Sequence, residues 1–213
     1  MKRSGGSPES FDDPDHLAEA IIARVGTEIL LALPLGLGKA NHVANALYAR
    51  AAADPSIQLR IFTALTLEKP RGKSELERRF LQPLTERLFA GYPELSYAVA
   101  LQERRLPPNV QVDEFFFQAG TRLTVAASQR NYICANYTHA LGYLLERGVN
   151  VVAQLVAKRV RGGETRLSLS CNPDLTLDLL KCRARKACSS SDRSIRSCRS
   201  CPATATSRRA NST

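Results

Sequence analysis

The chain has 213 residues, 44% of them hydrophobic and 23% charged, with a formal net charge of +10. That balance supplies apolar surface for one α/β domain and a tail, and excludes a chain too polar to form a core. No apolar run reaches the length of a membrane-spanning helix, the longest being Ile29 to Leu35.

Residues 1–14 are rich in Gly, Pro, Ser and Asp and contain no apolar stretch, so they read as a disordered lead without a secretory signal. The cytoplasm is the expected compartment. From His16 the pattern is helical, with Leu17, Ile21, Ile22 and Val25 on one face. A continuous apolar run, Ile29 to Leu33, is ended by Pro34 and by Gly36 and Gly38, and Asn41 to Ala53 follow as a helix. Strand, glycine turn and helix form the opening of a βαβ unit. A second strand, Ile57 to Leu65, starts after the turn-forming Asp54 and Pro55.

Ser74 to Phe89 read as a long helix that Pro83 should kink or divide. A shorter helix is predicted over Leu95 to Arg105, and a strand over Val110 to Gly120. Residues 138–147 form a helix capped by Gly148, and residues 149–157 carry the clearest strand pattern in the chain. Gly162 and Gly163 turn the chain into Arg166 to Asn172, after which Pro173 and Asp174 can open another helix. Buried strands alternating with helices specify an α/β fold with a doubly wound, mostly parallel sheet over residues 15–181.

The tail, residues 182–213, differs. Its eight basic residues (Arg183, Arg185, Lys186, Arg193, Arg196, Arg199, Arg208, Arg209) against Asp192 carry +7 of the +10, so the body is nearly balanced. Ile195 is its single large apolar side chain, which leaves nothing to offset the entropy of ordering. The tail therefore reads as a disordered basic extension. A frame slip between Leu180 and Cys182 is the sharper expectation: read two bases later, one codon choice gives GVLLVGQINPELPFMPGD, a strand and a glycine-rich turn. The Ser-Cys pairs ending at Cys198 and Cys201 each force Leu, Met or Val in that frame.

Gly36, Gly38 and Lys39 are the candidate substrate-binding residues. Amides of a glycine turn at a helix N-terminus hold a phosphate or carboxylate, and Lys39 adds charge. The competing reading is a plain strand-to-helix turn. Neither a dinucleotide nor a P-loop fingerprint is present. His16, His42 and His139 lack metal-ligand spacing, and Cys198 and Cys201 form an isolated C-x-x-C, so no metal site is expected. Cys134 reads as a small buried hydrophobe. Asp113 and Glu114, adjacent on a strand, should point to opposite faces. Phe115, Phe116 and Phe117 read as core and edge packing.

Residues 27–180 resemble the N-terminal domain of the acetyl-CoA hydrolase/transferase family. The resemblance is carried by LPLGLGKANHVANALY, IQLRIFTALTLEKP, VDEFFFQAG, NYICANYTHALGYLLERGVNVVAQLVAKR and RLSLSCNPDLTLDLL. It implies acyl-CoA and carboxylate substrates, with coenzyme A as a thioester substrate and no bound cofactor. It also implies a glutamyl-CoA intermediate whose glutamate lies in the other half of the family's enzymes, so no catalytic residue is assigned here. A fragment inactive by itself, completed by a C-terminal half or a homo-oligomer, is the expectation. A non-catalytic subunit and a basic-tailed nucleic-acid module are the alternatives; the body lacks an RRM, KH or helix-turn-helix signature, which disfavours nucleic acid.

Overall fold

The structure is a computed structural model that describes residues 9–72, 74–169 and 172–188, with side chains to Cys182. The expectations for residues 189–213, including the C-x-x-C, lie outside the described residues.

Helix α1 (Pro14–Val25) starts where the Asp13 carboxylate accepts the amide of Asp15, and ends at Gly26, whose φ is +85°. Strand β1 (Glu28–Ala32) leads through the Gly36–Gly38 turn into α2 (Asn41–Ala53) and then β2 (Gln58–Thr63). Helices α3 (Glu75–Leu88) and α4 (Ser96–Gln102) precede β3 (Val110–Glu114). Helices α5 (Ala126–Arg130) and α6 (Ala140–Glu146) precede β4 (Val151–Val152). A hairpin of β5 (Ala157–Arg161) and β6 (Glu164–Ser168) and a last helix α7 (Thr176–Cys188) complete the described chain.

Strands β3, β2, β1 and β4 form one parallel sheet in that order. Period-two alternation gives the sheet two apolar faces. Ile29, Leu31, Leu59, Ile61, Val110 and Val112 bury one face with α1, α2 and α4. Leu30, Ala32, Phe62 and Phe115 bury the other with Leu144 of α6 and Leu179 of α7. The sheet is thus doubly wound, as the strand–helix alternation predicts. The order runs outward from β1 to β3 and then reverses to β4. In open α/β sheets that reversal opens a crevice beyond the carboxyl ends of the two diverging strands, here β1 and β4.

Several expectations are corrected. The strand predicted over 149–157 shrinks to two residues. β4 is an edge strand that pairs only Val151 with Leu31 and Val152 with Ala32; beyond it Gln154 bridges Lys39 in antiparallel sense and the Leu155 amide bonds the Gly38 carbonyl at 2.8 Å. β3 stops at Glu114 and not at Gly120. The turn expected at Gly162 and Gly163 is present, and it joins β5 and β6 in an antiparallel hairpin outside the sheet, exposed along its whole length. α7 continues past residue 181 to Cys188, so helix crosses the boundary drawn for the tail. α3 neither divides nor stops at Pro83, because none of its residues is buried and the carbonyl left without an amide donor can be hydrated. Among the described residues no helix is long and apolar enough to cross a membrane.

Candidate functional site at the carboxyl ends of the strands

The turn after β1 lies beside the reversal of strand order. Gly36 has φ +49°, and its amide donates to the Leu65 carbonyl at 3.2 Å, tying the β1 and β2 loops together. Gly38 is buried; a Cβ there would lie 2.6 Å from Asn172 Cβ and 3.1 Å from Pro34 Cγ. Glycine is required because residues 172–176 pass directly over the turn. Gln154 anchors that passage: its Nε2 donates to the Asn172 carbonyl at 2.5 Å, and its Oε1 accepts from the Thr176 hydroxyl.

The turn already binds a carboxylate. The Leu35 amide donates to Asp174 Oδ2, and the Tyr137 hydroxyl donates to Asp174 Oδ1 at 2.6 Å. Desolvation first, and then the neighbouring Asp174, hold the Tyr137 phenol protonated well above its ordinary range. Asp174 itself has φ +42°, in the left-handed region that a non-glycine residue adopts sparingly, with Asp and Asn among the most tolerant.

Lys39 points inward and not to solvent. It is 2% exposed, and its Nζ donates to the Pro34 carbonyl at 2.5 Å and the Ala64 carbonyl at 2.7 Å. Burial lowers its pKa from 10.5 to about 7, against the opposing pull of Glu114 and Asp174. Glu114, at the end of β3, is 3% exposed and accepts from the Thr66 hydroxyl at 2.7 Å. Its carboxyl is raised above the ordinary range, again chiefly by burial, while Thr66, Arg122 and Lys39 act the other way. Arg122, 2% exposed, stands 3.8 Å from Glu114, donates to Gln102 Oε1 at 2.8 Å and pairs with Glu68. Tyr97 completes the group, its hydroxyl 3.4 Å from Thr66 Oγ1.

Two cations, Lys39 and Arg122, and three carboxylates, Glu68, Glu114 and Asp174, are thus gathered at the ends of β1, β2 and β3. Shifted ionisation in such a place marks a candidate site. The arrangement can do two things: Lys39, near neutrality, can lose or take a proton, and the amide of Leu35 can take an anion.

The structure brings Gly36, Gly38 and Lys39 together, and adds Leu35, Glu114, Arg122, Tyr137 and Asp174, which sequence reasoning did not assign to the site. The alternation rule separates the adjacent acids correctly. Asp113 turns to Arg60 at 2.6 Å and Arg147 at 3.8 Å, and Glu114 turns to Thr66 and Arg122. The Thr66, Arg122 and Asp174 contacts join distant segments and leave no local signal. Phe115 is buried against Phe62 with ring centroids 5.8 Å apart, and Phe116 is exposed. Cys134 is exposed, against the expectation of burial, because the segment after α5 runs along the surface. His42 and His139 are exposed, and His16 lies on the surface 3.6 Å from Asp13. Among the described residues no group of three or more His, Cys, Asp or Glu side chains gathers to hold a metal.

No family model and no curated protein matches the chain. Among solved structures, RipA from Yersinia pestis is similar at 15% identity, with 68% of this chain and 28% of that chain covered and a TM-score of 0.39. A single-residue variant of RipA is similar at 12% identity, with the same coverage and a TM-score of 0.38. The chain therefore spans 28% of the length of the structures it matches.

Proposed function

We propose that this chain is the N-terminal half of an acyl-CoA hydrolase or CoA-transferase, supplying the carboxylate side of a site completed elsewhere. The thioester of coenzyme A is the substrate, and a carboxylate or water is the acyl acceptor. The glutamate that attacks the thioester belongs to the complementary half, so this half binds and orients and does not itself form the acyl intermediate. Five sequence segments in the family's order support the reading, as does the site's place at the reversal of strand order, where open α/β sheets bind ligands.

The observation that carries it is the carboxylate of Asp174 on the Leu35 amide at the glycine turn. A turn that accepts one carboxylate through a backbone donor has the chemistry to accept another, and the buried Lys39 is held in the same turn by the Pro34 carbonyl. Titrating acetate into a ¹⁵N-labelled Asp174→Ala chain tests this. The Leu35 and Gly36 amide resonances are expected to shift on addition and to saturate. Unmoved resonances at those two positions would remove the carboxylate role.

A further inference from the structure

Residues 172–176 lie across the glycine turn as a strap, fastened on both sides of Asp174. Gln154 holds the two ends: its Nε2 donates to the Asn172 carbonyl at 2.5 Å, and its Oε1 accepts from the Thr176 hydroxyl. Between them the Asp174 carboxylate takes the Leu35 amide through Oδ2 and the Tyr137 hydroxyl through Oδ1. The Tyr137 ring also packs edge-on to Phe115, directly after β3, with centroids 6.4 Å apart. That donor is therefore placed by the sheet as well as by Asp174.

A free carboxylate and the strap cannot share the turn. A single methyl group on Gly38 would already stand 2.6 Å from Asn172 Cβ and 3.1 Å from the Asn172 carbonyl oxygen, and a carboxylate is larger. Packing nevertheless holds the strap lightly. None of residues 172–176 is buried; the first buried side chain beyond them is Leu179, which seats α7 against the sheet. Asp174 sits at φ +42°, a left-handed backbone that an L-residue adopts at a cost, and leaving the turn relieves it. A segment with few buried contacts, tethered beside the turn and bearing the same chemical group as the ligand, has what a built-in competitor needs.

We propose that residues 172–176 are an autoinhibitory strap: the Asp174 carboxylate occupies the donors of the turn, and a free carboxylate binds only by displacing it. The inference rests on the reading of the turn as a carboxylate site, and adds how that site is regulated. Its consequence is quantitative. Apparent affinity for the free acid is reduced by the fraction of chains whose strap is off the turn. A purely structural Asp174 has the opposite consequence, since its loss would loosen the turn and leave binding no tighter.

The test titrates sodium acetate, against sodium chloride at equal ionic strength, into the full ¹⁵N-labelled chain and its variants. The Leu35 amide reports the turn, and the Asn172 and Thr176 amides report the strap. Asp174→Ala is expected to bind acetate roughly tenfold or more tightly than the parent chain. Thr176→Ala removes one fastening of the strap and no donor of the turn. It is expected to fall between the two, and to add nothing in the Asp174→Ala background. In the parent chain the Asn172 and Thr176 resonances are expected to move together with Leu35 as acetate saturates. Asp174→Asn, which tolerates the left-handed backbone and lacks the charge, stands in for Asp174→Ala if circular dichroism shows that variant unfolded, and is expected to tighten binding in the same direction. Equal affinity in parent and variant would overturn the strap and leave the carboxylate site standing, as would strap resonances that stay still while Leu35 moves. Acetate binding to none of the chains would overturn both.

Discussion

Gly38 and Lys39, neighbours in sequence, are constrained by different physics. At Gly38 the constraint is space, since a methyl group would sit 2.6 Å from Asn172 Cβ and must push residues 172–176 off the turn. Gly38→Ala is expected to lower stability by about 1–3 kcal/mol, measured by urea denaturation, the range for forcing a group into a filled space. At Lys39 the constraint is charge. The unfolded chain holds this proton up to the ordinary value of 10.5, and the folded chain releases it near 7. Between those values the unfolded state binds more protons, so this residue makes stability rise with pH. Lys39→Met should abolish that rise over the range from about 7 upward, read as the slope of unfolding free energy against pH. The glycine turn was legible because Pro34, Gly36 and Gly38 interrupt an apolar run. That Lys39 faces two carbonyls was not, because Ala64 is brought beside it only by the pairing of β1 with β2.

At the scale of single elements, α3 and β4 depart furthest from their sequence patterns. Residues 149–157 alternate well enough for a strand, yet only two of them pair, because the bridge from Gln154 to Lys39 and the crossing segment 172–176 draw the chain away from β1. Helix α3 survives an internal proline because its capping box and solvent-facing backbone make the loss local. Pro83→Ala should therefore raise helix content by circular dichroism with little effect on global unfolding, since no residue of α3 is fully buried. Ser74→Ala should do the reverse, weakening the helix by about 1 kcal/mol through loss of the cap. Matched shifts in global stability for both variants would mean that α3 is coupled to the core. The helix boundaries at Asn41 and Ala53 were readable because a glycine turn and Asp54-Pro55 enclose them. The length of β4 depends on what lies across the sheet and was not.

For the whole molecule, the alternation of apolar strands and amphipathic helices specifies a doubly wound parallel sheet, and both faces are filled accordingly. Strand order could not be read from the sequence, because right-handed crossovers permit several orders. It is the order β3-β2-β1-β4 that sets the glycine turn beside the reversal and so gives the site its location. The site is also where the chain's own segment 172–176 lies, with Asp174 on the turn in place of any external anion. Acyl-CoA turnover tests the proposed division of labour between this chain and a complementary half. The purified chain would be assayed for thiol release from acetyl-CoA with acetate present, alone and with a C-terminal half of an acetyl-CoA hydrolase/transferase added. No release by the chain alone, and release when the halves are combined, is the expected result. Turnover by the chain alone would place a catalytic group within its own residues and contradict the proposed division of labour, as would a combined sample as inert as its parts.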